Sequence, residues 1–237
     1  YGKEACQKLI AGLKGYPIVI VSGLAMGIDT IAHRAALSAG LITISMPGSG
    51  IDNSAIHPKQ NIKLAQEIVD AGGCLLCEFD PSFRATLYSF PQRNRLMAGI
   101  SKAVLIIEAQ EKSGTLITAR MALDYNRDVL AVPGQIFSDN SKGTNRLIHQ
   151  GATPITTSEE LLIALGFDVQ KEEVSEKEKY ADCGKDEMVM INLLHEPMER
   201  NELIRESGMD TAKANALLSI MEIKELIKEE YGEIRKI

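Results

Sequence analysis

Apolar positions in the first two thirds of the chain alternate between two rhythms. A continuous β-branched run, Ile18 to Val21, stops at Ser22-Gly23, and after Gly27 the apolar residues Ile28, Ile31, Ala32, Ala35 and Ala36 return on one face of a helix. This unit of strand, glycine loop and helix repeats. Leu41 to Met46 predicts a strand ending in Pro47-Gly48-Ser49-Gly50, and Pro58 to Ala71 a helix carrying Ile62, Leu64, Ala65, Ile68 and Val69. Cys74 to Phe79 predicts a third strand, Gln92 to Ile100 a short helix, Ala103 to Ile107 a fourth strand and Thr115 to Tyr125 a helix introduced by Ser113-Gly114. Val129 to Val132 predicts a fifth strand before Pro133-Gly134, and an amphipathic helix (Ala5, Leu9, Ile10, Leu13) closed by Gly15 opens the sequence. Strands alternating with helices at this spacing imply right-handed βαβ crossovers. The expected fold is α/β: a doubly wound, mostly parallel Rossmann-like sheet.

Ligands of such sheets bind beyond the carboxyl ends of the strands. The glycine-rich turns collect there: Ser22-Gly23, Gly48-Ser49-Gly50, Lys112-Ser113-Gly114 and Pro133-Gly134, with Glu78 and Glu108 among them. A glycine turn at a helix N-terminus aims backbone N–H groups and the positive dipole end at an anion. The Gly23-x-x-x-Gly27 spacing is neither a dinucleotide fingerprint nor a P-loop. Between the third and fourth strands, FRATLYSFPQRNR (Phe83 to Arg95) interleaves Arg84, Arg93 and Arg95 with Tyr88, Phe90 and Asn94. Cations for phosphates and flat rings for bases are what a single-stranded nucleic acid requires, whereas a structural loop would use the rings for packing.

Phe167 to Asp186 is dense in charge, almost free of periodic apolar residues, and predicts a linker between residues 1–166 and 187–237. Beyond it, helices over Met188–Leu194 and Glu199–Glu206, a turn at Ser207-Gly208-Met209, a third helix capped by Thr211, and two short strands around Tyr231-Gly232 predict a small winged-helix domain.

Charge changes the picture at the end of the chain. The net charge is −6, yet residues 1–166 hold 15 Lys/Arg and 14 Asp/Glu against 11 and 18 in residues 167–237. The acidic end is a poor candidate for gripping a duplex backbone, and protein contacts are expected of it instead. Cys74 and Cys77 resemble a CxxC, but their place in an apolar strand predicts two core residues rather than a redox or metal pair. The four histidines have no ligand spacing, and neither metal nor cofactor is expected. No apolar run approaches the ~20 residues of a membrane span, and a cytoplasmic protein without membrane contact is expected.

Several motifs occur in order: SGLAMGID (Ser22 to Asp29) with His33, PGSGID (Pro47 to Asp52), HPKQN (His57 to Asn61), FPQRNR (Phe90 to Arg95), EAQEKSGTLITAR (Glu108 to Arg120), VPG (Val132 to Gly134) and GTNRLIHQGA (Gly143 to Ala152). Together they resemble the DNA-processing protein A family (DprA, also called Smf) from Tyr1 to about Gly166. The resemblance implies a single-stranded DNA-binding homodimer that protects incoming DNA and loads RecA recombinase in natural transformation, with no catalytic activity. It implies a DNA site of Gly23, Gly48, Ser49, Gly50, Phe90, Arg93, Asn94, Arg95, Lys112, Ser113, Gly114, Thr115 and Arg120. Family members also carry a strand ending in Gly-Ser/Thr-Arg just before the position of Tyr1, so a sheet short of one central strand is expected. The rival reading is a nucleotide-binding or nucleotide-hydrolysing Rossmann-like protein such as a phosphoribohydrolase. Against it, no carboxylate follows the glycine turn in Lys112 to Ala119.

Overall fold

The computed structural model describes residues 1–169, 183–195, 197–224, 226–230 and 232–236. The predicted linker falls largely outside the described residues. Two compact units divide the chain, Tyr1–Val169 and Gln170–Ile237.

The first unit runs α1 (Gly2–Ala11), β1 (Ile20–Ser22), α2 (Ile28–Ser38), β2 (Thr43–Ser45), a 3-10 turn (Lys59–Asn61) leading into α3 (Ile62–Asp70), β3 (Cys74–Leu75), α4 (Ser89–Ile100), β4 (Ala103–Ile106), α5 (Gly114–Asp124), β5 (Asp128–Ala131), α6 (Asp139–His149), β6 (Thr153–Pro154) and α7 (Ser158–Ala164). All pairings in this unit are parallel, as the alternating pattern predicts, with Ile20 opposite Thr43 and Val104 opposite Val129. They form two three-stranded sheets, β1-β2-β3 and β4-β5-β6, rather than one. Residues of α1, α2 and α7 make one apolar cluster with Ile20, Ile107, Leu130, Val132 and Ile155, so these three helices cover a common face of both sheets. Residues of α4, α5 and α6 pack with Ile106, Val129 and Ala131 in a second cluster.

The inner edge strands, β1 and β4, do not pair with each other. A cleft of about 1050 Å³ is lined by Ile20 and Val21 on one side and Ala103 to Ile107 on the other, with Cys6, Ile10 and Leu13 of α1 beside them. The consequence shows in burial. Val129, Leu130 and Ala131 of the central strand β5 are buried, whereas Ile20 and Val21 of β1 and Ala103, Val104 and Leu105 of β4 are each only half-buried.

Three expectations need correction. Strand β3 ends at Leu75 instead of Phe79, leaving Cys74 exposed and Cys77 half-buried outside the strand. The pair is thus not core, because the short strand lies at a sheet edge. Helix α4 starts at Ser89 rather than Gln92, so Phe90 and Pro91 are helical as well, with Pro91 tolerated in the first turn where no intrahelical N–H bond is lost. Helices α6 and α7 are additional to the predicted elements.

The second unit contains α8 (Lys185–Leu193), β7 (Met198–Glu199), α9 (Arg200–Ser207), α10 (Thr211–Ile223), β8 (Ile227–Glu230) and β9 (Glu233–Lys236). Its three strands form an antiparallel sheet in the order β7-β9-β8 over a core of Met190, Leu203, Leu218, Met221 and Ile234. Asp210, rather than Thr211, caps α10 by accepting from the N–H groups of Ala212 and Lys213.

Candidate nucleic-acid interface

Two strand–loop–helix turns dominate the carboxyl rim of the first unit. In the β1–α2 turn, Leu24 and Gly27 take positive φ (65° and 91°), and the loop closes on itself. The Asp29 carboxylate in the first turn of α2 accepts from Ser22 Oγ (2.8 Å) and from the Ala25 N–H (3.1 Å). Asn61 Nδ2 donates to Leu24 O and to Thr30 Oγ1, both at 2.7 Å. An acid of the chain itself thus occupies the anion-seeking end of α2.

Arg93 lies beneath this turn. It is 4% exposed, and its guanidinium donates to the carbonyls of Gly23 and Met46, capping the ends of β1 and β2. A Cβ on Gly23 would lie 2.3 Å from that guanidinium, which explains the glycine. Burial pushes the Arg93 pKa down, while the nearby Asp29 opposes the shift. The Gly48-Ser49-Gly50 turn is likewise enclosed. Ser49 is fully buried, with Oγ donating to Gly50 O and accepting from the His57 N–H, and Gly50 N–H donates to Phe83 O. Phe90 packs where Gly48 lacks a side chain, 2.6 Å from the place a Cβ would take, and its ring centroid lies 6.0 Å from that of His57.

The β4–α5 turn is built differently. Ser113 caps α5, its Oγ accepting from the Thr115 N–H at 3.2 Å, and its own N–H donates to Gln110 O at 3.0 Å. Gly114 is exposed, with nothing within 4 Å of where its Cβ would lie. Its N–H has no hydrogen-bond partner among the described residues. Lys112 beside it is exposed and makes no ion pair among the described residues, and neither does Arg120. Arg120 lies six residues along α5, roughly 9 Å from its start at 1.5 Å per residue. A helix N-terminus with an oriented hydroxyl, a bare glycine and an unpaired ammonium is competent to take one phosphate.

The predicted residues therefore fall into groups. Phe90, Arg93, Asn94 and Thr115 all line the cleft between the sheets, as do Ser22, Ala25, Asp29 and Glu108. Arg95, next along α4, turns away, pairs with Glu78 and lines a separate depression of about 410 Å³ with Tyr125 and Arg127. Gly23, Gly48, Ser49 and Gly50 are buried scaffold. Sequence reasoning missed Asp29 as the acid that closes the first turn, although its place two residues after Gly27 was the available signal. Glu108 accepts the N–H of Gly2, the first residue of α1, at 3.2 Å. The histidines have structural surroundings where their partners are defined: His33 is fully buried, with Nδ1 2.7 Å from Thr43 Oγ1, and burial lowers its pKa to about 4. Among the described residues there is no metal-binding cluster, and no helix is long and apolar enough to cross a membrane.

Comparison with known proteins places these features. Protein Smf of Escherichia coli is 44% identical over 167 residues, covering 70% of this chain and 43% of its own length. DNA processing protein DprA of Streptococcus pneumoniae is 40% identical over 166 residues, covering 70% and 57%. The chain thus spans about half the length of these relatives. The crystal structure of the Streptococcus pneumoniae protein superposes with a TM-score of 0.63 over 68% of this chain and 56% of that one. DNA processing protein A from Helicobacter pylori, described for its unique single-stranded DNA binding mode, gives 0.62 at 35% identity over 70% and 74%. The family model described as DNA recombination-mediator protein A matches residues 1–166, and the chain belongs to that family.

Proposed function

We propose that the first unit binds single-stranded DNA, with one phosphate on the N-terminus of α5 and Lys112 as its counter-charge. The observation that carries this reading is a contrast at the rim: the first turn of α2 holds its own carboxylate, Asp29, whereas the first turn of α5 holds no acid and has the exposed Lys112 beside it. Asn94, Phe90 and Thr115 line the adjoining cleft and extend the path for a neighbouring nucleotide. Arg93 supports the site by holding Gly23 and Met46, and Arg95 and Arg120 contribute field more than contact. By analogy with its relatives, the protein serves DNA processing in transformation as a cytoplasmic homodimer that delivers the strand to RecA.

The second unit supports a winged-helix reading through its helices followed by a β-hairpin. Residues 188–237 carry 7 Lys/Arg against 10 Asp/Glu, so its role is in protein contacts rather than in duplex binding. No enzymatic step is assigned. Glu78 pairs with Arg95 and Glu108 with the Gly2 N–H, which leaves neither poised as a general acid or base.

Anisotropy of a labelled oligonucleotide across several salt concentrations tests the phosphate site. Each phosphate contact on a single strand adds about −0.7 to the slope of log affinity against log salt. Lys112→Ala is expected to weaken binding and flatten that slope by about one contact, with single strands preferred over duplex. An unchanged affinity and slope in a folded variant would remove the site.

A further inference from the structure

The turn joining β5 to α6 carries two large apolar residues at its tip. Ser138 N–H donates to Gln135 O at 3.0 Å, closing a β-turn around Ile136 and Phe137. These positions usually hold Gly, Pro, Asn, Asp or Ser. Here Ile136 is 75% exposed and Phe137 is 93% exposed, and neither joins an apolar cluster among the described residues.

The stalk below this tip is braced. Gly134 and Asn145 exchange two hydrogen bonds, Gly134 N–H to Asn145 Oδ1 at 3.1 Å and Asn145 Nδ2 to Gly134 O at 3.0 Å. Ser141 N–H donates to Ser138 O at 3.1 Å. The same stalk is tied to the loop that presents the open helix end: Ala109 N–H donates to Asn140 O and Gly143 N–H to Ala109 O, both at 2.8 Å, and Gln110 Nε2 donates to Asn140 Oδ1 at 3.1 Å. Ala109 and Gln110 precede Lys112 by three and two residues. A bare aromatic ring therefore stands on a braced turn whose stalk is hydrogen-bonded to the loop leading into α5. A flat partner that stacks there orders little new backbone, which favours association.

We propose that Phe137, flanked by Ile136, is a base-stacking platform beside the α5 phosphate site. The inference rests on the single-stranded DNA reading above and adds to it the contact that holds a base. Every base offers a π face, so the platform takes any sequence, and being uncharged it releases no counterions. The chain contains no Trp, so Phe137→Trp places a single indole at the tip.

The test uses the full chain and a labelled single-stranded oligonucleotide, comparing the natural sequence with Phe137→Ala, Phe137→Trp and Lys112→Ala. Phe137→Ala is expected to weaken binding roughly 5- to 150-fold, the range for loss of one stacked base, without changing the salt slope. Phe137→Trp keeps affinity and its emission is quenched by the oligonucleotide. Abasic residues at the bound position erase the difference between Phe137→Ala and the natural chain. If Lys112→Ala weakens binding while Phe137→Ala does not, the platform is wrong and the phosphate site stands; if neither does, both fail. A Phe137→Ala variant altered only in sedimentation assigns the tip to self-association and overturns the proposal.

Discussion

The β1–α2 and β4–α5 turns begin from the same pattern of apolar strand, glycine and helix, yet one helix start carries its own acid and the other carries none. In α2 the second helical residue is Asp29, and it consumes the Ala25 N–H and the Ser22 hydroxyl. In α5 the second residue is Thr115, a neutral side chain whose Oγ1 lies 3.0 Å from Ser113 Oγ. A single carboxylate at that position decides whether a helix dipole is spent internally or offered outward. The first turn rests on a buried polar layer of Arg93, Asn61 and His33 that holds the rim in shape; the second is the surface proposed above to meet a single strand.

The comparison is broken most severely by removing what the closed turn stands on. Arg93→Ala leaves the Gly23 and Met46 carbonyls without their buried donor, at about 1 to 3 kcal/mol each, and the expected loss is about 4 kcal/mol of stability. Urea unfolding followed by a probe within residues 1–169 reads it. A loss confined to DNA affinity, with stability intact, would place Arg93 in the ligand site instead.

Acid tests the same buried layer. His33 has a folded pKa of about 4 against about 6.5 when unfolded, because burial disfavours its charged form and the Arg93 charge adds to that, outweighing the opposing Asp29. The unfolded chain therefore binds a proton that the folded chain refuses between those values. Stability is complete above about pH 6.5 and falls as pH drops towards 4, by up to about 1.4 kcal/mol per pH unit and on the order of 3 kcal/mol in all. Unfolding midpoints measured across that window should fall less steeply for His33→Gln than for the natural chain.

The smallest and most pointed change converts one turn into the other. Thr115→Asp places a carboxylate at the second position of α5, where Asp29 sits in α2. It should stabilise α5 by roughly 0.3 to 1 kcal/mol through the dipole while lowering oligonucleotide affinity at least about tenfold. Calorimetry and anisotropy on the same sample separate the two effects. Unimpaired binding would show that the phosphate does not sit on α5.

Much of the α/β unit was legible from periodicity: β1, α2, β2, α3, β4, α5 and β5 lie close to the runs that predicted them, because each apolar stripe must find a covering layer. Helix α4 was misjudged at its start because Ser89-Phe90-Pro91 reads as loop chemistry, although Pro is acceptable in a first turn. Among the site residues, the sequence located Lys112 to Thr115 at a helix N-terminus. It could not distinguish Arg93, aimed down at strand-end carbonyls, from Arg95, aimed outward at Glu78, since helical neighbours two apart face different surroundings.

By itself the amino-acid sequence determined the parallel α/β architecture, the family and the rim on which the glycine turns gather, because these follow from local periodicity and ordered motifs. Only the tertiary structure decided that Asp29 is engaged by its own loop, which arginine is buried, and that the strands form two sheets facing a cleft between β1 and β4. Those properties depend on contacts between residues as distant as Gly23 and Arg93, or Ala109 and Asn140. No local pattern encodes such contacts, because hydrogen-bond satisfaction and exclusion from water are settled only when separate segments meet.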